Sequence, residues 1–313
     1  MRFAADCVQA GIAADDRLLL AVSGGADSLA LLVLARRAMT NRIAVASVDH
    51  GLRAEAAAET AMVADACRRM AVPHHCLSVT VPTGGNLQAA ARTARYAALA
   101  RCARSAAIDT IVTAHHADDQ AETMLMRMGR GAGTRGLAGM RAKAAVPGSP
   151  DLRLSRPLLT WRRSELAAVV SHAGLLPVHD PSNADLRFLR VRVRSWLADA
   201  PDGIDAGRLA RSAAILAQDD DALDWAAQRE WDAQVTIAGH RATYTPLAPM
   251  AIRLRVVRRL LLLLRTQGDP RDDEITRLLL MLEAGKTATL AGLSCRAEDS
   301  AWQFAPAPPR RTG

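Results

Sequence analysis

The chain has 313 residues, half of them hydrophobic, and a net charge of +8. That length holds one large domain with a sizeable core plus a smaller one, and the hydrophobic share excludes a disordered chain. The longest pure leucine run, Leu260 to Leu264, is bracketed by Arg259 and Arg265, so no segment reads as a membrane span.

The five cysteines, Cys7, Cys67, Cys76, Cys102 and Cys295, form no C-x-x-C pair. This argues against a disulfide framework, a zinc site or an iron–sulfur cluster, and buried structural thiols are the expectation. The N-terminus carries Asp6, Asp15 and Asp16 and lacks a basic start followed by an apolar core. No signal peptide is expected, and a cytoplasmic location follows.

Charge is unevenly spread. Residues 201–313 balance at 15 basic and 15 acidic, so the excess sits in residues 1–200. Between Arg127 and Arg163 nine basic residues face one acid, Asp151. A patch that one-sided suits a polyanion such as nucleic acid or a nucleotide. Composition explains why 38 of the 40 basic residues are arginine, but not the local absence of acids.

Short leucine-rich or β-branched runs alternate with alanine-rich helical runs through the first half. The pattern predicts a strand at Leu18–Val22, a helix at Ser28–Met39, a strand at Ile43–Val48 and a helix over about Ala54–Met70. A strand at His75–Val79, a helix at Leu87–Ser105, a strand at Thr110–Thr113 and a helix at Asp118–Met128 follow. This order indicates an α/β domain, a mostly parallel sheet with helices on both faces, whose ligands bind at the carboxyl ends of the strands. Residues 129–150 read as a Gly-rich basic loop that excludes a regular helix, and Arg162–Ala173 as a helix. The chain changes character at Pro201-Asp202-Gly203. We therefore expect a catalytic domain over 1–200 and a smaller, mainly helical C-terminal domain over 201–313. Its helices are expected around Ala206–Gln228 and Ala251–Thr266, before a short mixed tail ending in Ala305-Pro306-Ala307-Pro308-Pro309.

The first turn after a strand reads Ser23-Gly24-Gly25-Ala26-Asp27-Ser28. The glycines let an anion approach the backbone, and the N–H groups and dipole of the following helix favour it. Asp27 is out of place in an anion loop unless a cation joins it to the phosphates, and Mg²⁺ takes such ligands. The Walker A spacing is absent. The plain alternative is a capped strand-to-helix turn. The loop resembles the S-G-G-x-D-S signature of the PP-loop family (N-type ATP pyrophosphatases, adenine nucleotide alpha-hydrolase-like). The resemblance implies ATP cleavage to AMP and pyrophosphate through an adenylated substrate, with Ser23, Gly24, Gly25, Ala26, Asp27 and Ser28 on ATP.

His115-His116-Ala117-Asp118-Asp119-Gln120-Ala121-Glu122-Thr123 closes the fourth strand and crowds three acids onto one helical turn. Acids favour a helix N-terminus, which covers one or two of them. The sharper reading is a pocket for a cation, either Mg²⁺ or an amine. With Asp49-His50-Gly51-Leu52-Arg53, Gln88 through Tyr96, Arg156-Pro157-Leu158-Leu159, Asp180-Pro181-Ser182-Asn183 and Phe188 through Arg192, the pattern resembles the tRNA(Ile)-lysidine synthetases.

That resemblance implies a ligase that adenylates C2–O of the wobble cytidine of a CAU-anticodon isoleucine tRNA and joins L-lysine there. It places lysine on Asp119 and Glu122, His116 close to the adenylated base, and Arg92 or Arg95 near the phosphates. The arginines of the Gly-rich loop, Arg130, Arg135 and Arg141 with Lys143, and the cluster Arg190, Arg192 and Arg194, suit tRNA phosphates. A basic helix from Arg253 to Arg265 is a further tRNA candidate, with a solvated face as its alternative. Aromatic residues make up 3% of the chain, so a broad base-stacking platform is not expected. The rivals are a PP-loop tRNA thiolase, disfavoured by the unpaired cysteines, and a non-catalytic ATP-binding protein, which has no need of the acidic turn. A homodimer is compatible with the sequence, and no membrane partner is expected.

Overall fold

A computed structural model describes residues 2–39, 41–49, 56–80, 87–178, 185–200 and 204–308. The stretches His50 to Arg53, Asp180 to Asn183 and Pro201-Asp202-Gly203, and the terminal Pro309, lie outside the described residues. Two compact units divide the chain, Met1–Ala217 and Gln218–Gly313.

The first unit begins with α1 (Arg2–Gln9), β1 (Leu18–Ala21), α2 (Ala26–Ala38), β2 (Ile43–Asp49), α3 (Ala56–Arg69) and β3 (His74–Ser78). It continues through α4 (Leu87–Ser105), β4 (Thr110–Val112), α5 (Ala117–Met128), α6 (Thr134–Leu137), β5 (Lys143–Val146), β6 (Ser149–Ser155), α7 (Arg163–His172) and α8 (Leu189–Ala198). Helix α9 (Ala206–Gln234) runs across the division between the units.

The six strands lie in the order β3-β2-β1-β4-β6-β5. Every pairing is parallel except β5 with β6. Successive leucines of β1 serve opposite faces, as a two-residue period demands. Leu18 and Leu20 pack with α2, α3 and α7 through Leu29, Val33, Val63, Leu166 and Val170. Leu19 packs on the other face with Tyr96, Leu99 and Ala103 of α4, joined by Ile111 and Leu154. All three leucines are at most 1% exposed, which explains why the strand reads as a continuous apolar run rather than an alternating one.

Chain order reverses about β1, since β2 follows on one side and β4 on the other. Loops leaving β1 and β4 therefore open side by side at one edge of the sheet, where open α/β folds place their ligands.

Two expectations are corrected in this unit. The region 129–150 contains the short helix α6, the strand β5 and the start of β6. The hairpin turns at Pro147-Gly148, with Gly148 at φ +72°, and its alanines and lysine gave no strand signal. Four cysteines are buried as expected, but Cys76 is exposed. Burial pushes the thiols of Cys7 and Cys295 up to about 12, so these sulfurs stay protonated.

The second unit corrects the expectation of a mainly helical C-terminal domain. It carries a five-stranded antiparallel sheet of β7 (Val235–Ala238), β8 (Arg241–Tyr244), β9 (Ala288–Leu290), β10 (Leu293–Glu298) and β11 (Ala301–Pro306). Buried Ala242, Tyr244, Cys295, Trp302 and Phe304 pack with α10 (Met250–Leu264) and α11 (Asp272–Glu283) through Val256, Leu260, Leu261, Leu278 and Leu279. Tyr244 and Trp302 meet edge to face at 5.6 Å.

The arginines of α10 are engaged within this unit. Arg253 pairs with Glu283, Arg255 with Asp220 and Asp224, and Arg258 with Asp272. Arg259 lies 4.0 Å from the Trp231 ring centre. Internal pairing of this kind matches the balanced charge of residues 201–313. No helix of the described residues is long and apolar enough to cross a membrane.

Candidate active site

The loop after β1 is built to leave N–H groups pointing outward. Ser28 Oγ donates to the Gly25 carbonyl at 2.9 Å and accepts from the Ser23 N–H at 3.2 Å, which folds the loop onto the first turn of α2. Gly24 has φ +87°, a left-handed value that favours glycine. A Cβ there would stand 3.2 Å from Met62 Cε and 3.3 Å from Val178 Cγ2. Its carbonyl accepts from the Val178 N–H at 3.0 Å. Gly25 precedes α2 in an extended conformation with no side chain over the helix end. The arrangement can hold an anion on the free N–H groups of α2.

The turn after β4 meets this loop. His116 is fully buried, and its Nε2 lies 3.3 Å from Asp27 Oδ2 and 3.6 Å from Asp119 Oδ2. Its Nδ1 lies 3.5 Å from Asp118 Oδ2. These are ion-pair separations, and neither ring nitrogen has a well-formed hydrogen bond. Burial by itself would lower the His116 pKa, but Asp118 and Asp27, with Asp119 behind them, raise it from 6.5 to about 9. The ring is therefore an imidazolium at neutral pH, with three carboxylates around it.

The effect on the acids is reciprocal. Burial opposes ionisation of Asp118, but His116 and the Arg163 N–H, which donates to Oδ2 at 2.9 Å, hold it well below the usual carboxylate range. Asp27 is also shifted down, against burial, by His116, Arg163 and Arg194. Asp119 accepts from the backbone N–H of His116 at 3.1 Å, which fixes its carboxylate at the start of α5.

Glu122 sits one turn further on and is 1% exposed. Arg194 of α8 grips it through Nε at 2.7 Å and Nη2 at 3.3 Å, while Arg190 Nε stands 3.4 Å away and Arg163 4.0 Å. Arg190 also donates to Thr123 Oγ1 at 3.0 Å. Two of the three arginines in the α8 cluster expected on tRNA thus face the acidic turn. The third, Arg192, donates to the carbonyls of Leu186 and Arg187.

The Gly-rich loop is anchored rather than loose. Gln120, 4% exposed, donates through Nε2 to the Met140 carbonyl at 2.8 Å and accepts the Met140 N–H at 2.7 Å. Arg127 donates to the carbonyls of Gly136 and Gly139 at 2.8 and 3.3 Å. Arg130 and Arg135 stay on this loop, whereas Arg141 donates to the Ala217 carbonyl. On α4, Arg92 lies 5.0 Å over the Tyr96 ring, and Arg95 is exposed immediately before Tyr96, the first buried residue of the helix.

The structure brings Asp27, His116, Asp119 and Glu122 together around the loop Ser23–Ser28. Sequence reasoning missed Asp118's clasp by the Arg163 N–H and by Arg162, whose Nε is 3.5 Å away. It also missed the arginines around Glu122 and the Gln120 anchor. The one signal for the clasp was the pair Arg162-Arg163 at the start of a predicted helix.

Asp27 Oδ1 is buried and has no hydrogen-bond partner. Among the described residues no group of three or more His, Cys, Asp and Glu is arranged to hold a metal by itself. A lone carboxylate oxygen with an open valence fits Mg²⁺ completed by phosphate oxygens and water, and does not fit an all-protein cage.

Comparisons with known proteins agree on one family. Residues 3–200 match the model of the PP-loop domain. A tRNA(Ile)-lysidine synthase of Novosphingobium aromaticivorans is 48% identical, over 95% of this chain and 90% of the relative. Another from Zymomonas mobilis is 38% identical over 94% and 90%. Among solved structures, a U34-tRNA thiolase of Methanococcus maripaludis superposes with a TM-score of 0.57 at 15% identity, over 69% of this chain and 78% of that one. At that identity the likeness concerns the fold alone.

Proposed function

Because the chain belongs to the tRNA(Ile)-lysidine synthase family, we propose that its two loops divide one ligation between them. The chain is a ligase with tRNA(Ile)-lysidine synthase activity, and its substrates are ATP, lysine and tRNA(Ile). Ser23 to Ser28 hold the triphosphate, with the N–H groups of α2 on its oxygens. The C2 oxygen of the wobble cytidine in a CAU anticodon attacks the α-phosphorus, and pyrophosphate leaves. The ε-amine of lysine then attacks C2, the C–O bond breaks, and AMP departs. Asp27 would hold Mg²⁺, which supplies charge neutralisation on the phosphates. Arg92 or Arg95 neutralises charge near the phosphates, a task that arginine's bidentate fork suits.

The supporting observation is the 3.3 Å approach of His116 to Asp27. It joins the anion loop to the acidic turn within one ion-pair distance. A fully buried imidazolium cannot stack on a base, so His116 acts through the carboxylates it positions. Asp119 takes the lysine amine and its proton. Glu122 offers the amine the carboxylate that Arg194 already neutralises. Arg130, Arg135 and Arg141, with Arg192, follow the tRNA backbone. Residues 1–200 carry the chemistry, and 201–313 serve as an accessory tRNA-facing part. A cytoplasmic location goes with a tRNA substrate.

The test is pyrophosphate release from ATP with and without the CAU-anticodon tRNA, with labelled lysine or a labelled sulfur donor present. Release that depends on the tRNA, with lysine retained on it, is expected. Sulfur transfer without lysine would overturn the reading.

A further inference from the structure

A second cationic cluster lies at the carboxyl ends of β4 and β6. Arg156 directly follows β6 and is 6% exposed. Its Nη1 donates to the Arg141 carbonyl at 2.7 Å, and its backbone N–H to the Ala142 carbonyl at 2.8 Å. Its Nε is buried with no hydrogen-bond partner. Among the described residues no carboxylate pairs with it. Its charged and polar neighbours are Arg92 and the Tyr96 phenol.

His115 faces the same place. Its Nδ1 is 2.8 Å from Thr113 Oγ1. Burial first, then Arg156, Arg92 and Arg190, push its pKa down to about 4, with Asp119 opposing. The ring is neutral, and in the tautomer whose Nδ1 accepts from Thr113 its Nε2 is free to donate.

An arginine buried without a counter-ion costs several kcal/mol, and a buried donor left unmade adds to that. Such groups call for a specific partner. We infer that Arg156, Arg92 and His115 line a subsite for a phosphate group at the carboxyl ends of β4 and β6. Arginine's planar fork matches phosphate oxygens, and a neutral imidazole N–H adds a third kind of donor. Arg156 also holds the Arg141 carbonyl, which ties the subsite to the end of the arginine-rich loop. The inference rests on the ligase reading above, under which two phosphates come near: one from ATP or its adenylate, one from the tRNA backbone.

The experiment compares the wild type with Arg156→Gln and Arg156→Lys in lysidine formation, at varied ATP, tRNA and salt. A lost charge-assisted contact of about 1.5–3 kcal/mol raises one KM by roughly 10- to 100-fold. If the phosphate is the tRNA's, the KM for tRNA rises and the log–log salt slope falls by about 0.7. If it is ATP's, the KM for ATP rises and the slope stays. Arg156→Lys restores part of the loss in either case. Two unchanged KM values would refute the inference.

Should Arg156→Gln fail to fold, the wild type still decides. The His115 pKa, followed by NMR, should climb from about 4 when a non-hydrolysable ATP analogue or the CAU anticodon stem-loop is added. No movement with either probe would refute the subsite. A wild type that makes no lysidine would instead sink the ligase reading and leave the His115 titration to be judged separately.

Discussion

Replacing His116 by glutamine removes the cation at the centre of Asp27, Asp118 and Asp119 while keeping much of the ring's volume. The gap between 6.5 and about 9 for this histidine corresponds to about 3 kcal/mol at about 1.36 kcal/mol per pH unit. That agrees with the cost of breaking a buried ion pair by deleting one partner, about 3–5 kcal/mol. The direction follows from the raised pKa. The folded state binds the proton more tightly, so the stabilisation is complete below pH 6.5 and is lost as pH rises through about 9. Asp27 and Asp118 carry the acid side of the same cluster. Their depressed values give stability present above the ordinary carboxylate range and lost as pH falls through the folded values. Urea unfolding between pH 6 and 10, read on the transition of the first unit, measures the difference between wild type and His116→Gln. It should be about 3 kcal/mol at pH 6 and shrink towards zero by pH 10. A difference that stays constant across this range would show that packing, not charge, holds the cluster.

Gly24→Ala should destabilise the first unit by about 1–2 kcal/mol, because φ is +87° and a new Cβ meets Met62 and Val178. The KM for ATP should rise with it, and an unchanged pair of values would remove the loop from ATP binding. Asp119→Asn keeps an oxygen for the His116 N–H but loses the charge, so lysine use should weaken while adenylation is largely spared. Equal loss of both steps would place the residue on ATP or Mg²⁺. Gln120→Ala deletes both bonds to Met140 and should raise the KM for tRNA several-fold without changing that for ATP. Steady-state kinetics in each substrate decides this, and a rise in the ATP value alone would contradict it.

The parallel half was legible because β1 and the start of β2 are unbroken apolar runs and the helix between them is rich in alanine and leucine. The predicted helix at Leu87–Ser105 has the same bounds as α4. The hairpin of β5 and β6 was not legible, since Lys143-Ala144-Ala145 has low strand preference and its pairing comes from the neighbouring β6. The same applies to the C-terminal sheet. There Ala242 and Tyr244, and Trp302 and Phe304, alternate inward over only two positions each, too short a period to stand out in sequence.

In the site, the motifs marked the loop and the acidic turn correctly as neighbours of strand ends. They could not show that strand order puts β1 beside β4, which is what sets His116 against Asp27. Nor could they show that Arg190 and Arg194 turn inward, because a basic helix reads the same whether it faces phosphate or a buried glutamate.

The most direct measurement of the central claim counts products against the wobble base. Labelled lysine, ATP and the protein are incubated with the isoleucine tRNA bearing CAU and with the same tRNA bearing UAU. With CAU, one lysine should enter the tRNA for each AMP and each pyrophosphate released, and with UAU none. Lysine entering both alike, or AMP forming with no lysine on the CAU tRNA, would contradict the account.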